Sequence, residues 1–470
     1  MSQPGSPGGA DGFGPYNAHN QPVKKTTKTP VHSLFFSVLL LLWPGGLTAF
    51  AQAAAVHSAL PVIPALSHDI TRYGAVGDGV STNTEAIQNT IAAISADGGG
   101  TVEIPAGIFL SGPLALASHL RLQLDAGAVL RMLPLDKYPG GTRNPANFIS
   151  GAGLHDLAIS GSGTIDGQGM PWWPYASDKQ ARRPRLIALA SCNRVLIESV
   201  LLANSPMFHI AISGKSGNVT VRGVTIRANP SSDPIHPGHN TDACDVSGTN
   251  ILIENCNVSV GDDNFTCGGG TSDVLITNCT YGFGHGVSIG SYTHSGGVSN
   301  LTVINCTFND TESGIRIKSD RDRGGLVRNL SYLNLQMTNV GIPILVYAAY
   351  TNADPVYRAL AKLTPAQAAA YPVSTIAERT PIYQDLVFSN ITATVQPGRR
   401  AGLIWGLPEM PVSNVLLQQI HITADRPFGL YDVQNVRVVK TQISTPGGIN
   451  PWSVTNAQIS FVLPGGSPPL

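Results

Sequence analysis

Asp242-Ala-Cys-Asp-Val-Ser247, Asp263-Asn-Phe-Thr-Cys-Gly268, His285-Gly-Val-Ser-Ile-Gly290 and Ser313-Gly-Ile-Arg-Ile-Lys318 are four versions of one six-residue pattern. Set in register, Cys244/Val246, Phe265/Cys267, Val287/Ile289 and Ile315/Ile317 make one apolar column, which alternation by two places on the buried face of successive short strands. The positions between them read as solvent-facing: Asp245 and Ser247, Thr266 and Gly268, Ser288 and Gly290, Arg316 and Lys318. Asp242, Asp263 and His285 stand at the strand starts, with Asp262 beside them. Carboxylates, an imidazole and two cations therefore gather on one patch.

The same rhythm runs through most of the chain. Segments that open on Asn or Asp and continue with alternating apolar residues start at Asp156, Asn193, Asn218, Asn250, Asp273, Asn300, Asn329, Asp385, Asn414 and Asn435, most of them 21 to 32 residues apart. A period of that length with several short strands per unit predicts an all-β solenoid, a single-stranded right-handed parallel β-helix with one coil per repeat. A leucine-rich repeat is excluded, because neither its helical segment nor its Leu pattern is present. Asn stacked at the turns is expected to bond the turn backbone of neighbouring coils. Ahead of the repeats, Asp69 to Ala75 reads as a first strand and turn. Thr82 and Glu85 suit a capping box, and Ile87, Ile91 and Ile94 share one face of a helix that Gly98 to Gly100 ends. This is the expected N-terminal capping helix, covering strands that would otherwise be unpaired. Two stretches interrupt the repeats. Gly167 to Pro184, with Trp172, Trp173 and Tyr175, reads either as loop packing or as a sugar-stacking surface; Asp354 to Tyr371 is a helical-looking insertion.

Composition agrees with a solenoid. Among 470 residues there are 51 Gly, 12% are charged and 42% hydrophobic, as expected where each short strand buries one face and each turn needs a permissive backbone. The net charge is 0 and the body of the chain has no long basic run, so nucleic-acid binding lacks its cationic footprint. Lys24, Lys25 and Lys28, a mostly apolar run from Leu34 to Trp43, and Ala49-Phe-Ala51-Gln-Ala53 read as a secretory signal with a long n-region. That run is too short to span a bilayer comfortably, which argues against stable membrane insertion, an uncleaved signal anchor being the alternative. The expected organisation is signal 1–53, linker 54–68, catalytic β-helix 69–462 and tail 463–470. The product would be a secreted monomer, extracellular or periplasmic. Cys256, Cys279 and Cys306 recur at one place in three repeats, and Cys244 and Cys267 fall on the inward column. Stacked buried thiols are favoured over disulfides, and no ligand spacing suggests zinc.

Asp242 precedes Asp263 by 21 residues and Asp263 precedes His285 by 22, one coil in each case. Adjacent coils lie about 4.8 Å apart, so these side chains are neighbours. Crowded like charges raise one carboxyl pKa and leave an acid beside an ionised base, which is what glycosidic hydrolysis requires. Asp262 has two carboxylate neighbours and is expected to stay protonated at mildly acidic pH. Singly, the Asp residues read as turn residues and His285 as a tight-turn histidine; turn chemistry does not explain their alignment with Arg316 and Lys318. Asp245 reads as an exposed hydrogen-bonding residue.

Asn240-Thr-Asp242, Gly261-Asp-Asp263, Gly284-His-Gly286 and Arg316-Ile-Lys318, in this order and spacing, resemble the four signature motifs of the polygalacturonase family of glycoside hydrolases, family twenty-eight. Tyr73-Gly-Ala-Val-Gly-Asp-Gly79, Gly163-Thr-Ile-Asp-Gly-Gln-Gly169 with Trp172-Trp173, and Asn204-Ser-Pro206 extend the likeness over about residues 69 to 460. The resemblance implies a right-handed parallel β-helix that hydrolyses 1,4-linked α-galacturonosyl bonds in pectin with inversion, using no metal or other cofactor. It implies Asp262 as proton donor, Asp242 and Asp263 as holders of the water, and His285 as a group tuning the acid. Arg316 and Lys318 would bind the substrate carboxylate, with Tyr350 as a wall of that subsite. Retention of both cations favours galacturonate over neutral or rhamnose-containing substrates. The chain departs from the family at Ala243, where Gly is usual, and at Asn264-Phe-Thr-Cys-Gly268, where an aliphatic strand ending in Lys or Asn is usual. Rival readings are a calcium-dependent pectate lyase with an Arg base, and a non-catalytic glycan-binding or adhesion solenoid. Endo- and exo-attack are not distinguished.

Overall fold

A residue with positive φ opens nearly every coil: Asp156 (57°), Asn218 (53°), Asn250 (56°), Asp273 (58°), Asn300 (56°), Asn329 (56°), Asp385 (59°), Asn414 (56°) and Asn435 (52°). Asn and Asp tolerate this left-handed region better than other side chains, because their short polar groups bond locally. In one coil the repeat starts a residue later than its sequence suggests. Val195 pairs with Val219, so Arg194 (φ 55°), and not Asn193, stands opposite Asn218. The structure, a computed structural model, describes residues 56, 58–350, 360 and 363–462. The expected signal, the start of the linker, the tail from 463 and part of the 354–371 insertion lie outside the described residues.

The turn amides do not bond the turn backbone as expected. Asn300 donates to Asp273 Oδ1 (3.0 Å), Asn329 to Asn300 (3.1 Å), Asn414 to Asp385 (2.8 Å), Asn435 to Asn414 (2.8 Å) and Asn218 to Asn193 (2.9 Å). Short Asn and Asp side chains stack at the coil spacing of about 4.8 Å, which makes the side-chain oxygen of the preceding coil the nearest acceptor.

Between the turns the strands pair in parallel with the matching strands of neighbouring coils, those inside the solenoid on both sides. Asn193–Glu198, for example, pairs with His155–Gly161 on one side and Gly217–Arg222 on the other. Repeated along the chain this is a right-handed parallel β-helix. Its core is the inward rows, such as Val219, Ile251, Val274 and Leu301, all at most 1% exposed, each contributing about 1.5 to 3 kcal/mol by its burial. Cys256, Cys279 and Cys306 form one such row, since Asn257, Thr280 and Thr307 are in register. All six cysteines are free and buried, as the stacked reading expected.

The helix Thr84–Ala96 buries Ile87, Ile91 and Ile94 at the N-terminal end. Its capping box does not form. Thr82 belongs to the strand Asp78–Thr82, and the N-cap is Asn83, whose side chain accepts from Val76 N and donates to Ser81 O. The first strand is also shorter than expected: it stops at Asp69, whose carboxylate accepts from Thr71 N (2.7 Å) and turns residues Ile70–Tyr73 into a single 3-10 turn. Trp172 and Trp173 are buried, Trp173 donating to Ser205 O (3.0 Å), so loop packing is the correct reading for both. In the insertion, the short helix Pro365–Ala369 packs Leu363 and Ala368 against Leu345, Tyr347, Leu403 and Trp405. It thereby covers the outer face of the sheet on the C-terminal side of Lys318. No helix among the described residues is long and apolar enough to cross a membrane.

Candidate active site

The strands Cys244–Val246, Phe265–Cys267, Val287–Ile289 and Ser313–Lys318 lie side by side in the register read from their sequences. Asp245 pairs with Thr266, Thr266 with Ser288 and Ser288 with Arg316. These side chains point outward, but they do not face solvent as expected. Ser288 is fully buried, and Thr266, Arg316 and Lys318 are 5 to 7% exposed. The reason is that the long cationic side chains fold back over the preceding coils to reach a carboxylate.

That carboxylate is Asp263. Its Oδ1 accepts from Ser288 Oγ (2.6 Å) and from Arg316 Nη2, and its Oδ2 accepts from Lys318 Nζ (3.0 Å). Arg316 Nε in turn donates to Ser288 Oγ (3.0 Å). Asp262, the next residue along, accepts from Asp263 N (2.9 Å) and from Asn240 Nδ2 (3.3 Å), and its Oδ1 lies 3.0 Å from His285 Nδ1. The other imidazole nitrogen lies 2.9 Å from Glu312. Lys318 Nζ is 5.2 Å from the ring centre of Tyr350, and both line a cavity of about 500 Å³ with Asp242, Asp262 and Asp263. The structure thus brings every expected site residue together.

The charge states differ from expectation. Burial opposes ionisation of Asp262, yet the hydrogen bond and charge of His285, with Arg316 and Lys318 behind it, hold its pKa well below the ordinary carboxylate range. The expected protonated Asp262 is therefore not the resting state; the cations outweigh the two neighbouring carboxylates. Asp242 moves the other way. Burial, then the charges of Asp262, Asp263 and Asp245, raise its pKa well above 3.8. Asp263 is kept ionised by Arg316 and Lys318 against its burial. Burial and Arg316 disfavour the imidazolium of His285, but Asp262 and Glu312 lift it to about 9. At neutral pH the cluster therefore holds an imidazolium on His285 beside charged Asp262 and Asp263, and Asp242 is the carboxyl whose protonated form its surroundings favour. Asp245 is half-buried, not exposed, and burial raises it to about 6.

Three further residues shape the site, and sequence reasoning passed over them. Arg183 donates to Asn240 Oδ1 (2.7 Å), His239 O (2.8 Å) and Pro206 O (3.1 Å), tying the loop before Asp242 in place. His209 is fully buried; its backbone N–H donates to Asp242 O (2.8 Å), and burial lowers its imidazole to about 4, so it is neutral. Glu312, on the rim, is the second partner of His285. Only its place one residue before Ser313 signalled it. The ligating atoms of Asp262, Asp263 and His285 lie within 4.8 Å of one another. A metal fits this donor set poorly, because Arg316 and Lys318 already occupy both oxygens of Asp263.

Residues 98–444 match the sequence model described as "Glycosyl hydrolases family 28". The chain is 32% identical over 292 residues to a probable polygalacturonase of Arabidopsis thaliana, covering 61% of this chain and 62% of that one. It is 32% identical over 303 residues to an endo-polygalacturonase of Pectobacterium parmentieri, covering 57% of this chain and 73% of that one. The fold superposes on the polygalacturonase of Erwinia carotovora ssp. carotovora with a TM-score of 0.61 and 26% identity, over 86% of this chain and 98% of that one. A family match across most of the solenoid, with its four charged segments on successive coils, shows that the chain is a glycoside hydrolase and belongs to glycosyl hydrolase family 28.

Proposed function

We propose that the chain hydrolyses 1,4-linked α-galacturonosyl bonds of polygalacturonate with inversion, Asp262 donating the proton and Asp242 and Asp263 holding the attacking water. The observation that carries this reading is Asp242 Oδ1, a buried carboxylate oxygen without a hydrogen-bond partner among the described residues. A buried acceptor of this kind needs a donor, and an inverting glycosidase places a water there. The substrate's own carboxylate is the anion that Lys318 and Arg316 would receive, with Tyr350 beside it. Its arrival offsets the positive field at Asp262 and expels water, and both effects raise the affinity of Asp262 for a proton. Burial and the neighbouring carboxylates favour the protonated form of Asp242, and from that form the proton passes to Asp262, leaving Asp242 ionised. Asp262 protonates the glycosidic oxygen as the C1–O bond breaks. Water attacks C1 from the opposite face, and its proton goes to the Asp242/Asp263 pair.

Arg316 is committed to Asp263 and Ser288, which disfavours its use as the base of an elimination. The apolar run ahead of Ala49 to Ala53 supports export with cleavage near Ala53. The test is proton NMR on the first product released from polygalacturonate. A β-anomer is expected; an α-anomer would refute inversion, and an unsaturated product would refute hydrolysis.

A further inference from the structure

From the carboxylates a floor of small side chains runs towards the N-terminal end of the solenoid. On the N-terminal side of Asp245, the outward row in register with it is Ala211, Ala188 and Ser150, and the row beside it is Ser213, Ala190 and Ala152. On the C-terminal side the corresponding positions are Leu345, Tyr347, Leu403 and Trp405, already covered by the packing of Leu363 and Ala368. Above the Ala/Ser floor lies a second cavity of about 500 Å³, which shares Asp245 and Ser247 with the catalytic one. Three coil steps from Asp245 to Ser150 span roughly 14 Å, longer than one sugar ring.

Arg185 stands on the wall of this extension. It precedes Ile187 by two residues, as Phe208 precedes Ile210 and Asp242 precedes Cys244. Since Ile187, Ile210 and Cys244 are in register, Arg185, Phe208 and Asp242 form one row, with Arg185 roughly 10 Å from Asp242. Its guanidinium lies over the Phe208 ring (5.3 Å), and its Nε is buried without a hydrogen-bond partner among the described residues. The contrast with Arg183, which has three acceptors, is chemical as well as geometric. One arginine is consumed by the fold; the other lies over an aromatic ring with its Nε unpaired, its charge favouring the ionised form of Asp245 in the same groove.

We propose that Arg185 receives the carboxylate of a uronate residue bound away from the scission point, making the N-terminal extension of the groove a charge-reading distal subsite. A guanidinium matches a carboxylate in a bidentate pair, and a polyuronate presents one carboxylate per sugar. This inference rests on the hydrolase reading above and adds chain length as a property under the control of one residue.

The test compares trigalacturonate with hexagalacturonate in wild type, Arg185→Gln and Arg185→Lys, with thermal unfolding confirming that each variant is folded. Arg185→Gln should raise KM for the hexamer about tenfold or more, change kcat/KM for the trimer less than about twofold, and shift the bond cleaved in the hexamer. Arg185→Lys, which keeps the charge but loses the fork and the stacking on Phe208, should restore only part of the hexamer's advantage. If Arg185→Gln does not fold, Arg185→Met, which keeps the aliphatic stem against Phe208, carries the same comparison. An unchanged ratio of hexamer to trimer kcat/KM in a folded variant overturns this inference and leaves the hydrolase reading standing. A wild type inert on every galacturonide overturns both.

Discussion

Asp262 Oδ1 and His285 Nδ1 stand 3.0 Å apart, and the far nitrogen of the same imidazole is 2.9 Å from Glu312. The ring is therefore clamped between two carboxylates, and the acid is coupled to a group that titrates near the alkaline end of the physiological range. The His285 pKa is raised from 6.5 to about 9. Its contribution to stability is thus fully present below about pH 6.5 and is lost as pH rises through about 9. The stability difference between wild type and His285→Ala should shrink over that window. Titration of the His285 carbon-bound proton by NMR should give a midpoint well above that of an ordinary histidine, and a midpoint at or below 6.5 would remove the clamp from the argument.

Asp262→Asn should lose several orders of magnitude in kcat with little change in KM, because the proton is delivered only in the transition state. Steady-state kinetics on polygalacturonate checks this. Near-normal turnover would reassign the acid.

Asp242→Asn should separate activity from stability. A carboxyl whose folded pKa lies above 3.8 contributes stability that is complete below that value and is lost as pH rises through the folded pKa. Removing the charge should raise the unfolding midpoint at alkaline pH, by about 1 to 2 °C per kcal/mol in a domain of this size, while abolishing turnover. A variant less stable than wild type at pH 9 would contradict the upward shift of Asp242.

Lys318→Met should do more than weaken binding. Loss of the substrate contact costs about 1.5 to 3 kcal/mol. Lys318 also pairs with the buried Asp263, and stripping one partner from a buried pair costs about 3 to 5 kcal/mol. Both a raised KM and a lowered unfolding midpoint are expected, to be read by oligogalacturonide kinetics and thermal unfolding of the same preparation. An unchanged midpoint would mean that Arg316 alone suffices for Asp263.

The coil architecture and the composition of the site were legible because both depend on spacing. A repeat of one coil carries Asp242, Asp263 and His285 to adjacent positions whatever the details of the turns, and the alternation at Cys244/Val246 or Ile315/Ile317 decides which side chains point outward. What spacing does not carry is reach. Arg316 and Lys318 belong to one strand in sequence, but their lengths let them bend back two coils to Asp263; this reverses the exposure of the row and adds to the effect of His285 in keeping Asp262 ionised. Arg183 and His209 were missed for a related reason. They act on the site through backbone carbonyls and Asn240, contacts that leave no pattern in residue types.

The asparagine stack has a grammar of its own. Each amide donates to the coil before it, so a carboxylate at that position can receive but cannot pass the bond on. Asp273 and Asp385 are such full stops. Among the described residues no side-chain bond joins Asn250 to Asp273 or Asn329 to Asp385, and the stack reads as separate phrases: 193, 218, 250; then 273, 300, 329; then 385, 414, 435. Fraying that starts at either end of the solenoid has natural places to halt, and the first of them falls between the coil that carries Asp242 and the coil that carries Asp263. Asp242 and Asp263 thus belong to different phrases, joined on that edge by strand pairing and packing alone, so a local parting of these two coils would separate the two carboxylates well before the fold is lost.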